Sequence, residues 1–209
     1  LPEINRKNLI HSSNVAVPGC YPTSILLPLI PLIKEKVIDT SDIIIDSKSG
    51  YSGAGKNFEL KNIKQSDDLN FYNYNTNDHR HITEIYQELS KHSNSNISFS
   101  FNPHILPNYR GMMSTIYCDL RPNCNLSDIE EVIKNFEQEN EFIKFYSDKR
   151  ADFFSVQNTN NCIIKLFNHY NSSKLIIVSL IDNLKKGAAG QAVQCLNISL
   201  GINENIALN

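Results

Sequence analysis

The chain has 209 residues, 41% of them hydrophobic and 20% charged, which is enough for one large domain with an ample core. A net charge of −2, a pI of about 6.3 and no run of lysines or arginines argue against an electrostatic hold on nucleic acid or an anionic membrane. The expected partners are therefore small molecules or other subunits.

The apolar run Ile25 to Ile33 carries two prolines and has neither the length of a transmembrane segment nor the layout of a secretory signal. The five cysteines, Cys20, Cys118, Cys124, Cys162 and Cys195, are odd in number and widely spaced, without CxxC or Cys/His zinc spacing. That pattern fits free thiols in a reducing compartment and no metal site. The chain opens on Leu1-Pro2-Glu3 and reads as a fragment or a processed product.

In chain order, Val15 to Val17 reads as the end of an extended segment. Pro18-Gly19 then turns the chain into a helix starting between Cys20 and Thr23, with Pro22 in the first turn, where its missing N–H costs nothing. Pro28 and Pro31 are expected to kink that helix or end it early. Ser41 to Asp46 reads as a strand, followed by a loop, Ser47 to Lys56, that holds three of the eight glycines. Asn73 to Asp78 is loop-like, and Ile82, Ile85, Tyr86 and Leu89 then recur at helical spacing. Ile97, Phe99 and Phe101 alternate as a strand, and Met113 to Leu120 forms another. Ser127 and Glu130 are read as a capping box opening a helix through Phe136. Cys162 to Tyr170 and Lys174 to Ile181, separated by Asn171-Ser172-Ser173, form a β-hairpin. A last helix spans about Ala188 to Leu200, entered through Gly187 and left at Gly201. Short turns between strands and a few helices give an α+β fold with a mixed, largely antiparallel sheet.

Cys20 is the sharpest chemical signal. A thiol at a helix N-terminus faces unpaired N–H groups and the positive end of the dipole, so a lowered pKa is expected there. A small buried hydrophobe is the ordinary fate of a free cysteine, and that plainer reading is kept for the other four. In Asp78-His79-Arg80-His81, either histidine can exchange protons near neutral pH, or both can simply cap and solvate the helix that follows. His11, His92, His104 and His169 have no comparable setting. The loop Ser49-Gly-Tyr-Ser-Gly-Ala-Gly-Lys56 is neither a dinucleotide fingerprint nor a P-loop, though its N–H groups and Lys56 could meet an anion. Arg110 is either an exposed turn arginine or a clamp for a carboxylate or phosphate.

Together, AVPGCYPTS (Ala16 to Ser24), DSKSGYSGAGK (Asp46 to Lys56), HRHITEI (His79 to Ile85), NPHILPNYRGMMSTIY (Asn102 to Tyr117) and SLIDNLKKGAAGQAVQ (Ser179 to Gln194) resemble successive motifs of the N-acetyl-gamma-glutamyl-phosphate reductases of arginine biosynthesis. The resemblance implies NADPH-dependent reduction of an acyl phosphate to N-acetylglutamate 5-semialdehyde. Cys20 matches the family's nucleophile, which forms a thioester and expels phosphate. His79 matches the acid/base. Lys56, His81 and Arg110 match substrate-side positions, and Ser49, Gly50, Asn183 and Gly187 match positions near the NADP cofactor.

The resemblance also implies a catalytic domain similar to those of glyceraldehyde-phosphate and aspartate-semialdehyde dehydrogenases, assembling as a homodimer or homotetramer. On this reading residues 1–17 are the tail of a Rossmann NADP-binding domain, 18–183 the catalytic and oligomerisation domain, and 184–209 a C-terminal helix that packs against the NADP-binding domain. Thr83 stands where the family often has proline, and Lys56 where arginine is common. The alternatives are an acyl-phosphate reductase of lysine or aspartate-family biosynthesis, a non-catalytic assembly module, or a cysteine hydrolase. The expected compartment is the cytoplasm, with the mitochondrial matrix as the alternative.

Overall fold

The computed structural model describes residues 1–10, 12–55, 64–65, 68–170 and 173–208. A helix opens the chain, α1 (Pro2–Leu9), with Pro2 in its first turn, Glu3 at its positive end and Arg6 and Lys7 at its negative end. These are ordinary helix signals within a stretch read above as a tail ending in extended chain.

α2 (Cys20–Lys34) then runs unbroken through Pro28 and Pro31, contrary to the expected kink or early stop. Each internal proline costs about 3 kcal/mol. Seven leucine and isoleucine side chains of α2, Ile25, Leu26, Leu27, Leu29, Ile30, Leu32 and Ile33, are buried. At about 1.5–3 kcal/mol each they outweigh the two prolines several-fold.

Eight further strands and three further helices follow β1 (Ile43–Gly50): β2 (Lys64–Gln65), β3 (Asp68–Leu69), β4 (Tyr72–Asn73), α3 (His81–His92), β5 (Phe99–Leu106), β6 (Met112–Asp119), α4 (Leu126–Glu139), β7 (Ile143–Phe145), α5 (Phe153–Val156), β8 (Cys162–Asn168) and β9 (Lys174–Ile181) are the described elements up to the last turn. A π-type turn, Lys185–Ala189, then leads into α6 (Gly190–Ser199).

The main sheet has seven strands in the order β4-β5-β1-β6-β9-β8-β7. β1 with β5 and β7 with β8 are parallel, and the other neighbours are antiparallel. This is the mixed, largely antiparallel α+β sheet expected from the sequence, and the hairpin of β8 and β9 falls where it was predicted. Two of the boundaries that differ bear on the site and its packing. β1 continues through Ser47, Lys48 and Ser49 to Gly50, where a loop was expected. Helix α4 is capped by Asn125 and Asp128, not by Ser127 and Glu130, because the Asn125 side chain reaches the Ser127 and Asp128 N–H groups while Asp128 returns to the Asn125 N–H.

One sheet face is closed by α2, with α4 beside it, over a core that includes Ile45, Phe101, Ile116, Ile164 and Ile177. Across that face Ser47, Ser114 and Ser179 stand in one register row. Ser114 Oγ lies 2.7 Å from both Ser47 Oγ and Ser24 Oγ, the latter on α2. This fully buried serine row is small enough for the cysteine helix to sit close; Ser24, Ser47 and Ser114 satisfy one another, and Ser179 Oγ lies 3.4 Å from Cys162 Sγ. On the opposite face Ile44, Tyr117, Ile176 and Phe167 form another row, of which Ile44 and Phe167 are over 40% exposed. Among the described residues no helix is long and apolar enough to cross a membrane.

Candidate active site

The first turn of α2 and the start of α3 meet at Gly19 and Cys20. Gly19 is a glycine because the His81 ring lies on it: a Cβ there would fall 2.5 Å from His81 Nε2. Its N–H donates to Glu84 Oε1 at 3.3 Å, which ties the cysteine turn to α3. Gly187 closes the site from the other side, since a Cβ on it would stand 2.7 Å from the Cys20 Cβ. Two glycines thus permit two close approaches around one thiol.

All five cysteines are free. Burial pushes the Cys20 thiol up to about 11, although the Tyr21 and Cys20 backbone N–H groups and the Arg80 charge pull the other way. The expected helix-start effect is therefore present but smaller than the desolvation of the thiolate, and the expectation of a lowered pKa is corrected. Cys118 and Cys162 are core thiols, each pushed up to about 12 by burial.

His79 is buried and touches the Tyr21 ring edge-on, with centroids 5.3 Å apart, and the His81 ring at 4.7 Å. Its Nδ1 accepts the His81 backbone N–H at 3.2 Å. The neutral ring therefore carries its proton on Nε2, which faces Tyr74 Oη at 3.4 Å. Tyr74 in turn donates to Tyr21 Oη at 3.2 Å, and Tyr21 to the His104 carbonyl at 3.3 Å. Burial, and then the Arg80 charge, hold His79 below its ordinary pKa. Both nitrogens are engaged away from the thiol, and the described contacts include no Cys20–His79 hydrogen bond. His81 is held lower still, at about 4, by burial and by the His79 and Arg80 charges, and its buried Nδ1 has no partner among the described residues.

The positions matched to the cofactor side lie near this point but make internal contacts. Asn183 accepts the Gly111 N–H on Oδ1 at 2.7 Å and donates from Nδ2 to Ser52 Oγ at 2.9 Å. Ser49 Oγ donates to the Gly50 carbonyl, and the Gly50 N–H bonds Gly111. Gly187 is occupied by Cys20, as above. Arg110 spends its guanidinium fork on Asp182 and a further N–H on Asn158. Lys56 lies outside the described residues. Among the described residues, no three His, Cys, Asp or Glu side chains are gathered to hold a metal.

Sequence reasoning passed over Tyr74, Glu84, Asn158 and Asp182. Asp182 and Glu84 both lie inside quoted motifs, so their charge was visible although their partners were not.

Residues 20–183 match the family model described as semialdehyde dehydrogenase, dimerisation domain. The whole chain is 42% identical to the N-acetyl-gamma-glutamyl-phosphate reductase of Clostridium botulinum (strain Alaska E43 / Type E3), covering 61% of that protein. It is 44% identical to the protein of the same name from Alkaliphilus metalliredigens (strain QYMF), covering 60%. The chain therefore spans about three fifths of the length of the curated relatives it matches. Among solved structures, aspartate semialdehyde dehydrogenase II of Vibrio cholerae complexed with ASA superposes with a TM-score of 0.75 at 17% identity, over 96% of this chain and 67% of that one. A probable aspartate-semialdehyde dehydrogenase from Pseudomonas aeruginosa gives 0.73 at 13% identity, over 95% and 66%. These structural likenesses bear on the fold alone, whereas the family model covers the segment from Cys20 to Asn183 that carries the thiol, both histidines and the Asp182 turn, and the chain belongs to the semialdehyde dehydrogenase dimerisation-domain family.

Proposed function

We propose that this chain is the catalytic portion of an N-acetyl-gamma-glutamyl-phosphate reductase, reducing the acyl phosphate to N-acetylglutamate 5-semialdehyde and phosphate in the cytoplasm. The observation that carries the reading is the meeting of Gly19-Cys20, the His79–His81 pair and Gly187 at one helix start. The likeness of the full chain to proteins of that name supports it.

Cys20 Sγ attacks the acyl carbon, the C–O bond to phosphate breaks, and the phosphate leaves with its electron pair, so that a thioester remains. A thiol suits this step because it is both a strong nucleophile and a good leaving group. His79, neutral above its lowered pKa and with its lone pair on Nδ1, is the group to take the thiol proton once Nδ1 is released from the His81 N–H. The buried His81 Nδ1 beside the cysteine turn is left without a partner among the described residues and is proposed to meet a substrate oxygen once the site opens. NADPH is the reductant implied for the thioester. Because Ser49, Gly50, Asn183 and Gly187 are internally engaged, its dinucleotide is assigned to the length of the relatives that this chain does not span.

Two surfaces fit the assembly. Leu196, Leu200, Ile202 and Ile206 are exposed on α6 and the segment after it, and they are proposed to face the NADP-binding domain. The open row Ile44, Tyr117, Ile176 and Phe167 is proposed to pair with a second copy.

The test uses the intact protein that carries this chain, with acyl phosphates of N-acetylglutamate, aspartate and aminoadipate, following NADPH oxidation and phosphate release. Turnover of the first substrate that disappears in Cys20→Ser is expected. A preference for aspartyl or aminoadipyl phosphate would select the alternative reductases, and turnover that survives in Cys20→Ser would sink the thioester reading.

A further inference from the structure

We propose that Arg110 and Asp182 are positioning residues whose forked ion pair sets the 182–187 turn, so that Gly187 closes on Cys20. The proposal rests on the thioester reading for its catalytic consequence, and on geometry alone for the enclosure of Cys20.

Asp182 directly follows β9, with a side chain that has no solvent exposure. Its Oδ1 accepts Arg110 Nε at 2.9 Å, Leu184 N–H at 2.9 Å and Lys185 N–H at 3.1 Å. Its Oδ2 accepts Arg110 Nη2 at 2.7 Å and the Asn158 N–H at 2.7 Å. Its main-chain oxygen accepts the Gly187 N–H at 2.9 Å, the bond that places Gly187. One residue thus organises the whole turn, its buried side chain accepting from five donors.

Arg110 is held from both ends. Gln157 Nε2 donates to its carbonyl at 2.7 Å, and its Nη1 donates to Asn158 Oδ1 at 2.9 Å. The neighbouring Gly111 N–H binds Asn183, the residue after Asp182. The strand turn at 110–111 and the turn at 182–183 are therefore clipped together twice, once by charge and once by an amide. A planar fork is required for the first clip, which a lysine cannot reproduce. The alternative for Arg110 is a clamp on a substrate anion, and the two roles predict opposite results.

The experiment compares the intact wild-type protein with Arg110→Lys and the isosteric Asp182→Asn. Iodoacetamide labelling of each cysteine is followed by mass spectrometry, and kcat and KM for the acyl phosphate are measured in parallel. A loosened turn moves Gly187 away from Cys20. Labelling of Cys20 at pH 8 then rises by about fivefold or more in both variants, while kcat falls by about 10–100-fold and KM stays within about twofold. Cys118 and Cys162, buried in the core, remain unlabelled, which separates a moved turn from general loss of structure. If KM rises tenfold with kcat and Cys20 labelling unchanged, Arg110 is a substrate clamp and the proposal is overturned. If all three cysteines label faster together, the pair only supports the fold and the proposal is again overturned. Should the wild-type protein turn over no acyl phosphate, the labelling arm still decides the geometry, and the functional reading alone fails.

Discussion

Raising the pH across the Cys20 titration tests the site with no substrate at all. Burial pushes this thiol up to about 11. Against the ordinary thiol value of 9.0, the gap of about 2 units makes the thiolate at neutral pH about 100-fold rarer than on an exposed cysteine, or about 2.7 kcal/mol. In site-resolved iodoacetamide labelling, the logarithm of the Cys20 rate should climb with unit slope from pH 7 to 10 and show no plateau. Cys124, half-buried in a turn, should react first. Arg80→Gln should slow Cys20 and Glu84→Gln should speed it, each several-fold, because the first charge lowers the thiol and the second raises it. His79→Ala should leave the rate unchanged, since the neutral ring contributes no charge and its nitrogens are turned to His81 and Tyr74. A plateau below pH 9, or a tenfold drop in His79→Ala, would show a pre-formed thiolate–imidazolium pair and refute this account of the resting site.

Three further outcomes follow from the same geometry. Burial alone would raise the Glu3 carboxyl, but the Lys186 ammonium 2.6 Å away holds it below the usual range. Lys186→Met should therefore cost about 3–5 kcal/mol in urea unfolding, and Glu3→Gln with Lys186→Met should recover most of it; a single-variant loss under about 1 kcal/mol would contradict the pairing. For His81, the folded pKa of about 4 lies below the unfolded value, so its contribution is full above pH 6.5 and is lost as pH falls towards 4. Partial exposure discounts this to about 1–2 kcal/mol, to be read as the change in the stability gap between wild type and His81→Gln from pH 7.5 to 4.5, and a constant gap would refute it. Ile176→Lys should give a monomer by analytical ultracentrifugation if the open sheet row is the self-association face, and an unchanged mass would exclude that face.

Elements with one dominant local signal were legible in the sequence. β8 and β9 are apolar runs of strand length, and α3 buries Ile85 and Leu89 at helical spacing while Tyr86 stays exposed. Where local chemistry and tertiary burial disagree, the sequence misleads. Proline signals a helix end only while nothing else holds the helix, and α2 is held against β6, β8 and β9 and between α3 and α4. Ser47, Lys48, Ser49 and Gly50 have loop composition, yet they extend β1 because Ser47 and Ser49 turn inward beneath α2 and Ser47 finds Ser114 there. A hydroxyl row of this kind joins residues on separate strands and one helix, and no window of sequence contains it.

The site divides the same way. Residue types that define the chemistry, a cysteine at a helix start and histidines flanking an arginine, could be picked out because each sits in a recognisable local setting, and the fold brings Gly19-Cys20 onto the His79–His81 pair. What sequence reasoning could not supply was the state of those groups. A helix N-terminus argues for a lowered thiol pKa, but the sign at Cys20 is set by burial, to which the close approach of Gly187, far along the chain, contributes. An arginine in a turn argues for an anion, and Arg110 has one, but it is Asp182, 72 positions away. Charge is legible in sequence, whereas the identity of the facing charge is a property of the fold. For that reason the carboxylate beside Asn183 is as strong a candidate for controlling Cys20 as any residue picked for its own chemistry.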